Sequence, residues 1–185
     1  MKAGVLAIQG DFREHGEALS AAGATPVEVR TLRDFDEVEC LVIPGGESTT
    51  ISKLADIAGL TGPIRDRAKE GMPVFGTCAG MIVMAERVLD GDPLLSLMDV
   101  TVRRNAYGRQ VDSFEADVRV EGIENAIRGV FIRAPWVEDV GEGVTVLARH
   151  DERPVVLEQG NLLAASFHPE LVGEIRLHDY FLSKV

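Results

Sequence analysis

Short apolar runs alternate with helix-like segments through the first half of the chain, and this alternation restricts the fold more than any other feature. Four runs have the length and composition of strands: AGVLAI (3–8), TPVEVR (25–30), CLVIPGG (40–46) and PVFGT (73–77). Helical spacing occupies three intervals between them: 12–23, 49–60 and 62–71. Strands that alternate with helices predict an α/β fold, a three-layer αβα sandwich with a mostly parallel central sheet covered on both faces.

The second half of the chain is richer in strands. Ser48 is a candidate N-cap for the helix at 49–60, and residues 79–89 continue in a helical pattern. Four strand-like runs follow between 97 and 150, and 154–167 resembles two adjacent strands that turn at Gln159 and Gly160. A helix is expected over 173–185. Because no repeat, low-complexity tract or linker interrupts the pattern, residues 1–185 are expected to form a single domain.

Composition excludes several classes of function. The formal net charge of −11 argues against binding to a nucleic-acid backbone, which needs a basic face. No apolar run approaches the ~20 residues of a membrane span, and residues 3–8 do not form a signal peptide. The two cysteines, Cys40 and Cys78, are too few for a disulfide framework, so we expect a cytoplasmic protein with reduced thiols.

Cys78 stands in a setting that favours chemistry over packing. It follows the apolar run PVFGT and lies between Gly76 and Gly80 in the spacing G-x-C-x-G. This is the pattern of a nucleophile elbow, a sharp turn from strand to helix that exposes one side chain at the end of a sheet. A thiolate at that position is also favoured by the dipole of the following helix. The alternative is a buried cysteine at the end of a core strand.

His168 is the best candidate for a base that serves this thiol. It follows an apolar strand in the run AASFHPEL, and Pro169 disfavours helix at its position. Glu170 is placed to accept a hydrogen bond from the imidazole and to orient it. Of the other histidines, His15 and His178 are expected to be solvated on surface helices, and His150 to lie in a polar turn.

The run PGGEST (44–49) has the glycine pair and hydroxyls of a backbone anion cradle. No Gly-Lys-Ser/Thr sequence follows, so it is not a nucleotide-binding P-loop. Its amides are candidates for an oxyanion hole or for a contact with a substrate carboxylate, although a plain glycine-rich turn remains an alternative.

These motifs together resemble the class I glutamine amidotransferases, which have a Cys-His-Glu triad on a flavodoxin-like sheet. Longer motifs resemble the glutaminase subunits of pyridoxal 5'-phosphate synthase, essentially from end to end of the chain: LAIQGDFREH, PGGESTTISKL, RRNAYGRQVDSFE, FIRAPWVEDVG and FHPELVGEIRLHDYF. The resemblance implies that L-glutamine is hydrolysed through a thioester to L-glutamate and ammonia, without a cofactor or metal. It also implies a partner, a synthase (lyase) subunit that uses the ammonia to build pyridoxal 5'-phosphate (vitamin B6) in a large heteromeric complex. Asp11 and Phe12 depart from the family pattern near the expected subunit contact.

The resemblance also implies roles for individual residues. Cys78 would be the nucleophile, His168 the general base and acid, and Glu170 its orienter. The backbone amides of Gly46 and Ala79 would form the oxyanion hole. Glutamine would be bound by six residues: Gly46, Glu47, Ser48, Arg104, Ile132 and Arg133.

Two other functions are compatible with parts of the pattern. A different thiol hydrolase on a similar sheet, such as a PfpI-like protein, also has an elbow cysteine, but the late His-Pro-Glu speaks against it. A non-catalytic regulatory subunit with a relic site is the second alternative, and the intact triad argues against that.

Overall fold

The computed structural model describes residues 1–89, 91–104 and 113–185. The described strands are β1 Lys2–Leu6, β2 Thr25–Val29, β3 Cys40–Ile43, β4 Val74–Thr77, β5 Ala85–Val88, β6 Met98–Arg103, β7 Phe114–Val118, β8 Ile127–Phe131, β9 Trp136–Val140, β10 Thr145–His150, β11 Arg153–Gln159 and β12 Leu162–Ala165. The described helices are α1 Phe12–Ala21, α2 Leu32–Asp36, α3 Ser48–Ile57, α4 Thr61–Lys69, α5 Ala79–Met84 and α6 Arg176–Leu182, with a 3₁₀ turn at Glu170–Val172. None of these helices is long and apolar enough to cross a membrane.

A seven-stranded sheet forms the centre of the molecule. Its strand order is β10-β11-β12-β4-β3-β1-β2. The five strands from β12 to β2 pair in parallel, and β11 and β10 add an antiparallel hairpin at one edge. The predicted mostly parallel sheet is therefore confirmed. Parallel strands bring their carboxyl ends to one edge, and this places the ends of β1, β3 and β4 side by side.

Helices cover both faces of the sheet, as the alternation of the sequence predicts. Neighbouring residues along each strand point to opposite faces, so β3 sends Leu41 and Ile43 into one apolar cluster and Val42 into the other. The first cluster includes Ile51 of α3 and Ile64 of α4. The second includes residues of α1 and α6. The result is the predicted αβα sandwich.

Two smaller sheets complete the described fold. β5, β6 and β9 form one, and β7 and β8 form the other. The run VFIRAPWV, which looks like one strand, is divided between β8 and β9, and the loop between them carries Ile132 and Arg133. That loop reaches the carboxyl edge of the central sheet.

The helical pattern predicted over 79–89 is wrong in its second half. The helix α5 ends at Met84, and Ala85–Val88 form a strand parallel to β6. The carbonyls of Val83 and Met84 accept hydrogen bonds from the amides of Leu95 and Leu97. Tertiary pairing thus satisfies the groups that a longer helix would have satisfied internally.

Candidate active site

Cys78 occupies the turn between β4 and α5, as the nucleophile-elbow pattern predicts. Its φ of 46° and ψ of −103° are a strained conformation for a residue other than glycine. The two flanking glycines are required by close packing. A Cβ on Gly80 would lie 2.1 Å from the carbonyl oxygen of Ile43 in β3, and one on Gly76 would lie 2.6 Å from the carbonyl carbon of Gly80. The tight packing of this turn on the sheet therefore requires glycine at both positions of the G-x-C-x-G spacing.

His168 is held at the carboxyl edge of the sheet by pairing with β8. Its N–H donates to the carbonyl of Val130 at 2.8 Å, and its carbonyl accepts from the Val130 N–H at 3.2 Å. The His168 Nδ1–H donates to Glu170 Oε1 at 2.8 Å. The Nε2 atom is then the nitrogen left for the thiol of Cys78, which lines the same cavity as His168. Cys, His and Glu are thus brought together in the predicted order.

Burial and local hydrogen bonds set the charges of this triad. The Glu170 side chain has no solvent exposure and that of His168 is 5% exposed. Burial opposes the charged form of His168, but hydrogen bonds with Asp11, Cys78 and Glu170 outweigh it and raise its pKa. Burial likewise opposes ionisation of Glu170, and interactions with His15 and His168 reverse that effect and lower its pKa. An ionised carboxylate beside a basic imidazole favours transfer of the thiol proton to His168.

Asp11 is a neighbour of the triad that the sequence did not predict. It follows Gln9 and Gly10 at the end of β1, and its Oδ2 lies 3.2 Å from Nδ1 of His168. About a third of its side chain is exposed. Asp11, His168 and Glu170 are close enough together to share a metal ion. However, the Nδ1 atom carries the proton donated to Glu170, so it lacks the lone pair that a metal needs.

A cavity of about 340 Å³ opens over Cys78, and it is lined by Asp11, Gly46, Glu47, Ser48, Cys78, Ala79, Ile82, Arg104, Ile132, Arg133, His168 and Leu171. Every residue predicted for substrate binding or for the oxyanion hole is in this lining. Asp11, Ile82 and Leu171 were not predicted. The central part of the motif RRNAYGRQVDSFE, residues 105–112, lies outside the described residues.

Glu47, and not the predicted Ser48, caps the N-terminus of α3. Its carboxylate accepts hydrogen bonds from the backbone N–H groups of Thr49 and Thr50, so Glu47 and not Ser48 is the N-cap of α3. A carboxylate is well suited to this position because it also complements the helix dipole. The hydrogen bond with Thr50 leads the effects that lower the pKa of Glu47 to about 2. Ser48 is the first residue of the helix, and Arg104 Nη2 lies 3.4 Å from Glu47 Oε1 across the cavity.

The loop between β8 and β9 closes the other side of the cavity. The Cys78 thiol lies 3.6 Å from the carbonyl oxygen of Ile132, to which it donates a weak hydrogen bond. Arg133 adopts a φ of 46°, in the region that side-chain-bearing residues rarely occupy. The loop thus brings Ile132 and Arg133 to the elbow.

The predictions that His15 and His178 are solvated are wrong, whereas His150 borders the predicted polar turn at 151–152. His15 and His178 are fully buried, and His15 lies 3.3 Å from Glu170. His150 ends β10, where its ring stacks on Phe114 and Phe131. The spacing of apolar residues along the two helices indicates that His15 and His178 are buried. His15 shares a face with the buried Ala18 and Leu19, and the chain around His178 is apolar at 177, 181 and 182.

Comparison with known proteins identifies the family. Residues 5–185 match the model of the SNO glutamine amidotransferase family. The chain belongs to this family. A relative from Parafrankia sp. (strain EAN1pec), named "Pyridoxal 5'-phosphate synthase subunit PdxT", is 55% identical over 98% of this chain and 92% of its own length. A relative of the same name from Roseiflexus castenholzii is 54% identical over 98% of this chain and 99% of its own length.

Solved structures agree with the family. One described as "Crystal structure of glutamine amidotransferase" is 50% identical and superposes with a TM-score of 0.94, covering 98% of this chain and 97% of its own. A chain of "Structure of PurLQS from Thermotoga maritima", at 20% identity and a TM-score of 0.71, shares the fold. This member of the SNO glutamine amidotransferase family is therefore an enzyme with the amidotransferase α/β fold.

Proposed function

We propose that this glutamine amidotransferase hydrolyses L-glutamine to L-glutamate and ammonia, and that it supplies the ammonia to a pyridoxal 5'-phosphate synthase. The observation that carries the proposal is the array of Cys78, His168 and Glu170 beneath a cavity lined by all the predicted substrate-binding residues. The names of the relatives support the synthase as the destination of the ammonia.

The geometry supports a two-stage reaction. His168 takes the proton of Cys78, and the thiolate attacks the side-chain amide carbon of glutamine. The backbone N–H groups of Gly46 and Ala79 stabilise the oxyanion that forms. When the C–N bond breaks, His168 returns its proton to the leaving nitrogen, and ammonia departs from a glutamyl thioester on Cys78. Water, deprotonated by His168, then attacks the thioester, and glutamate leaves as the thiol regains its proton.

Arg104 provides a positive charge for an amino-acid ligand, and Glu47 lies beside it. The guanidinium of Arg104 is suited to the α-carboxylate of glutamine. The carboxylate of Glu47 caps α3 and faces that guanidinium, so its proposed part is to hold Arg104 beside the ligand. The two side chains form an ion pair at 3.4 Å, and both line the cavity where such a ligand would lie. Backbone groups of the Gly46–Ser48 segment and of Ile132 and Arg133 complete the proposed binding site.

The partner is a separate synthase subunit, and we propose that the two assemble in a large heteromeric complex. Asp11 and Phe12, on the loop after β1 and at the start of α1, form part of the proposed contact. Strands from residue 2 to residue 165 contribute to one continuous sheet, and this supports a single amidotransferase domain over 1–185. The free thiols of Cys40 and Cys78 are compatible with the cytoplasmic location predicted from composition.

Ammonia release from L-glutamine tests the proposal, with and without the synthase subunit. Cys78→Ala should abolish release while the fold is retained, because the elbow thiol is the attacking group. Cys40→Ala is the matched control. Burial raises the pKa of Cys40 to about 12, so it is an unreactive core thiol whose loss should leave turnover intact at a modest cost in stability. Turnover by folded Cys78→Ala, or equal loss in both variants, would contradict the assignment.

A further inference from the structure

Two histidines that the proposed reaction does not use are buried directly behind the triad. His15 of α1 and His178 of α6 are 163 residues apart in sequence, and each has no solvent exposure. Phe75 of β4 packs edge-on against both rings, at centroid distances of 6.3 Å from His15 and 5.5 Å from His178. We refer to His15 and His178 as the buried histidine pair. Burying two imidazoles costs free energy unless they are hydrogen-bonded, so their contacts identify what they do.

The contacts of the pair lead to the triad. The Nδ1 atom of His15 lies 2.8 Å from Nε2 of His178. The Nε2 atom of His15 lies 2.9 Å from the hydroxyl oxygen of Thr77 and 3.3 Å from Glu170 Oε1. Thr77 immediately precedes Cys78, and the same Oε1 atom accepts the hydrogen bond from His168. His15 therefore touches both the carboxylate and the strand end that carries the thiol.

The arrangement of protons follows from the charge of Glu170. Because that carboxylate is ionised and fully buried, an Nε2 without a proton would turn a lone pair toward it. Nε2 of His15 therefore carries a proton, which it shares between the Thr77 hydroxyl at 2.9 Å and Glu170 Oε1 at 3.3 Å. At its Nδ1 atom, His15 shares a hydrogen bond with Nε2 of His178. Burial, and then the neighbouring His15, hold the pKa of His178 down to about 3, so that ring is neutral. His178 thereby determines which way the His15 ring faces.

Glu170 depends on this contact. Within residues 1–89, 91–104 and 113–185, its second oxygen, Oε2, has no hydrogen-bond partner. Its carboxylate is therefore fixed through Oε1, which faces His168 on one side and His15 on the other. The ionisable groups close to this carboxylate are His15 and His168, with Asp11 beyond His168 and His178 beyond His15.

We propose that His15 is a positioning residue for the reaction proposed above: its Nε2–H fixes the carboxylate of Glu170, and His178 fixes the His15 ring. The triad is thus extended into the core by a second imidazole on the far side of the carboxylate. Such a contact would keep Glu170 ionised and aligned while His168 gains and loses a proton. It would stabilise the thiolate–imidazolium pair without touching the substrate.

Two substitutions separate the contact with Glu170 from the contact with His178. His15→Gln places an amide N–H near the position of Nε2, so it keeps a donor for Glu170. His15→Asn places its amide near the position of Nδ1, so it keeps a partner for His178 but cannot reach the carboxylate. Leu19→Ala, at a fully buried position of the same helix, controls for loss of packing in α1.

Two measurements are needed for each variant. With the synthase subunit present, we expect His15→Asn to lower kcat by ~10- to 100-fold with little change in KM, because a misaligned base slows chemistry without weakening binding. We expect His15→Gln to recover most of this loss. In the isolated chain, the rate of Cys78 alkylation by iodoacetamide against pH reports the thiolate. Its midpoint should move upward by on the order of one pH unit in His15→Asn, and stay near the wild-type value in His15→Gln and Leu19→Ala.

The proposal would be overturned if His15→Asn, His15→Gln and Leu19→Ala had the same kcat and the same alkylation profile. His15 would then be a packing residue only. Should the His15 variants not fold, His178→Phe decides the matter, since it removes the hydrogen-bond partner of His15 Nδ1 and keeps a ring of similar shape. It should shift the alkylation midpoint in the same direction, and an unchanged midpoint would refute the proposal. A wild-type chain that releases no ammonia would refute the proposed function instead, whereas the alkylation profile would still test the pair.

Discussion

Gly45 allows a test of the triad that leaves all three of its side chains unchanged. This residue follows β3, and its backbone lies against the imidazole of His168. A Cβ at position 45 would lie 2.1 Å from Cε1 of His168 and 2.8 Å from its Nδ1. Since an ordinary contact between carbon atoms is ~3.5–4.0 Å, Gly45→Ala must move the ring or the loop by ~1.5 Å.

The ring cannot move that far and keep its partners. Its backbone is paired with Val130, and its Nδ1 donates to Glu170 at 2.8 Å, so a shift of this size breaks that hydrogen bond or separates Nε2 from the thiol. Misplacement of a catalytic group by ~1 Å can cost about 100-fold in rate. We therefore expect Gly45→Ala to lower kcat by ~100-fold or more, with a smaller change in KM.

Ammonia release in the presence of the synthase subunit measures this effect, and thermal unfolding verifies that the variant is folded. Gly62→Ala is the matched control, because a Cβ at this position in α4 meets no atom within 4 Å. It should keep full activity and gain ~0.4–1 kcal/mol in stability from the less flexible unfolded chain. If Gly45→Ala retained a kcat within a few-fold of wild type, the required alignment of His168 would be refuted.

Two further predictions concern the binding site and the buried core. Arg104→Ala should raise KM by ~10- to 100-fold with a smaller effect on kcat, because a charge-assisted contact is worth ~1.5–3 kcal/mol. Arg104→Lys should recover part of this loss. An unchanged KM in Arg104→Ala would exclude Arg104 from binding the carboxylate. The pKa of about 3 for His178 means that the unfolded chain binds a proton that the native chain excludes, from about pH 6.5 down to about pH 3. Stability should therefore fall as pH falls through this range. His178→Phe should reduce the slope of unfolding free energy against pH, measured in denaturant, by up to about 1.4 kcal/mol per pH unit, and an unaltered slope would show that His178 is not buried as a neutral ring.

The sequence predicted the parts of the site whose geometry depends on residues close together in the chain. The elbow around Cys78 needs small residues at fixed spacing, and the proline after His168 marks a turn whose next residue is Glu170. These local requirements can be detected in the sequence because they exclude most other residue types at those positions. The alternation of strands and helices is visible for the same reason, since each element has its own period.

The parts that the sequence did not predict depend on distant segments. The end of a strand before Asp11 indicates the edge of the sheet where it lies, but its 3.2 Å contact with His168 joins segments far apart in sequence. Likewise, the end of α5 at Met84 is decided by hydrogen bonds from residues 95–97 and not by local helix propensity. The burial of His15 has a local signal in its spacing with Ala18 and Leu19, but the polarity of histidine favours a solvated position on a helix.

The nature of the nucleophile is the central claim, and covalent labelling tests it most directly. The wild-type chain, with the synthase subunit present, is treated with a diazoketone analogue of L-glutamine, and the labelled peptide is identified by mass spectrometry. The account predicts one label per chain, on Cys78, that appears in step with loss of ammonia release, is slowed by L-glutamine and is absent from Cys78→Ala. A label on any other residue, or ammonia release that persists after Cys78 is fully labelled, would contradict it.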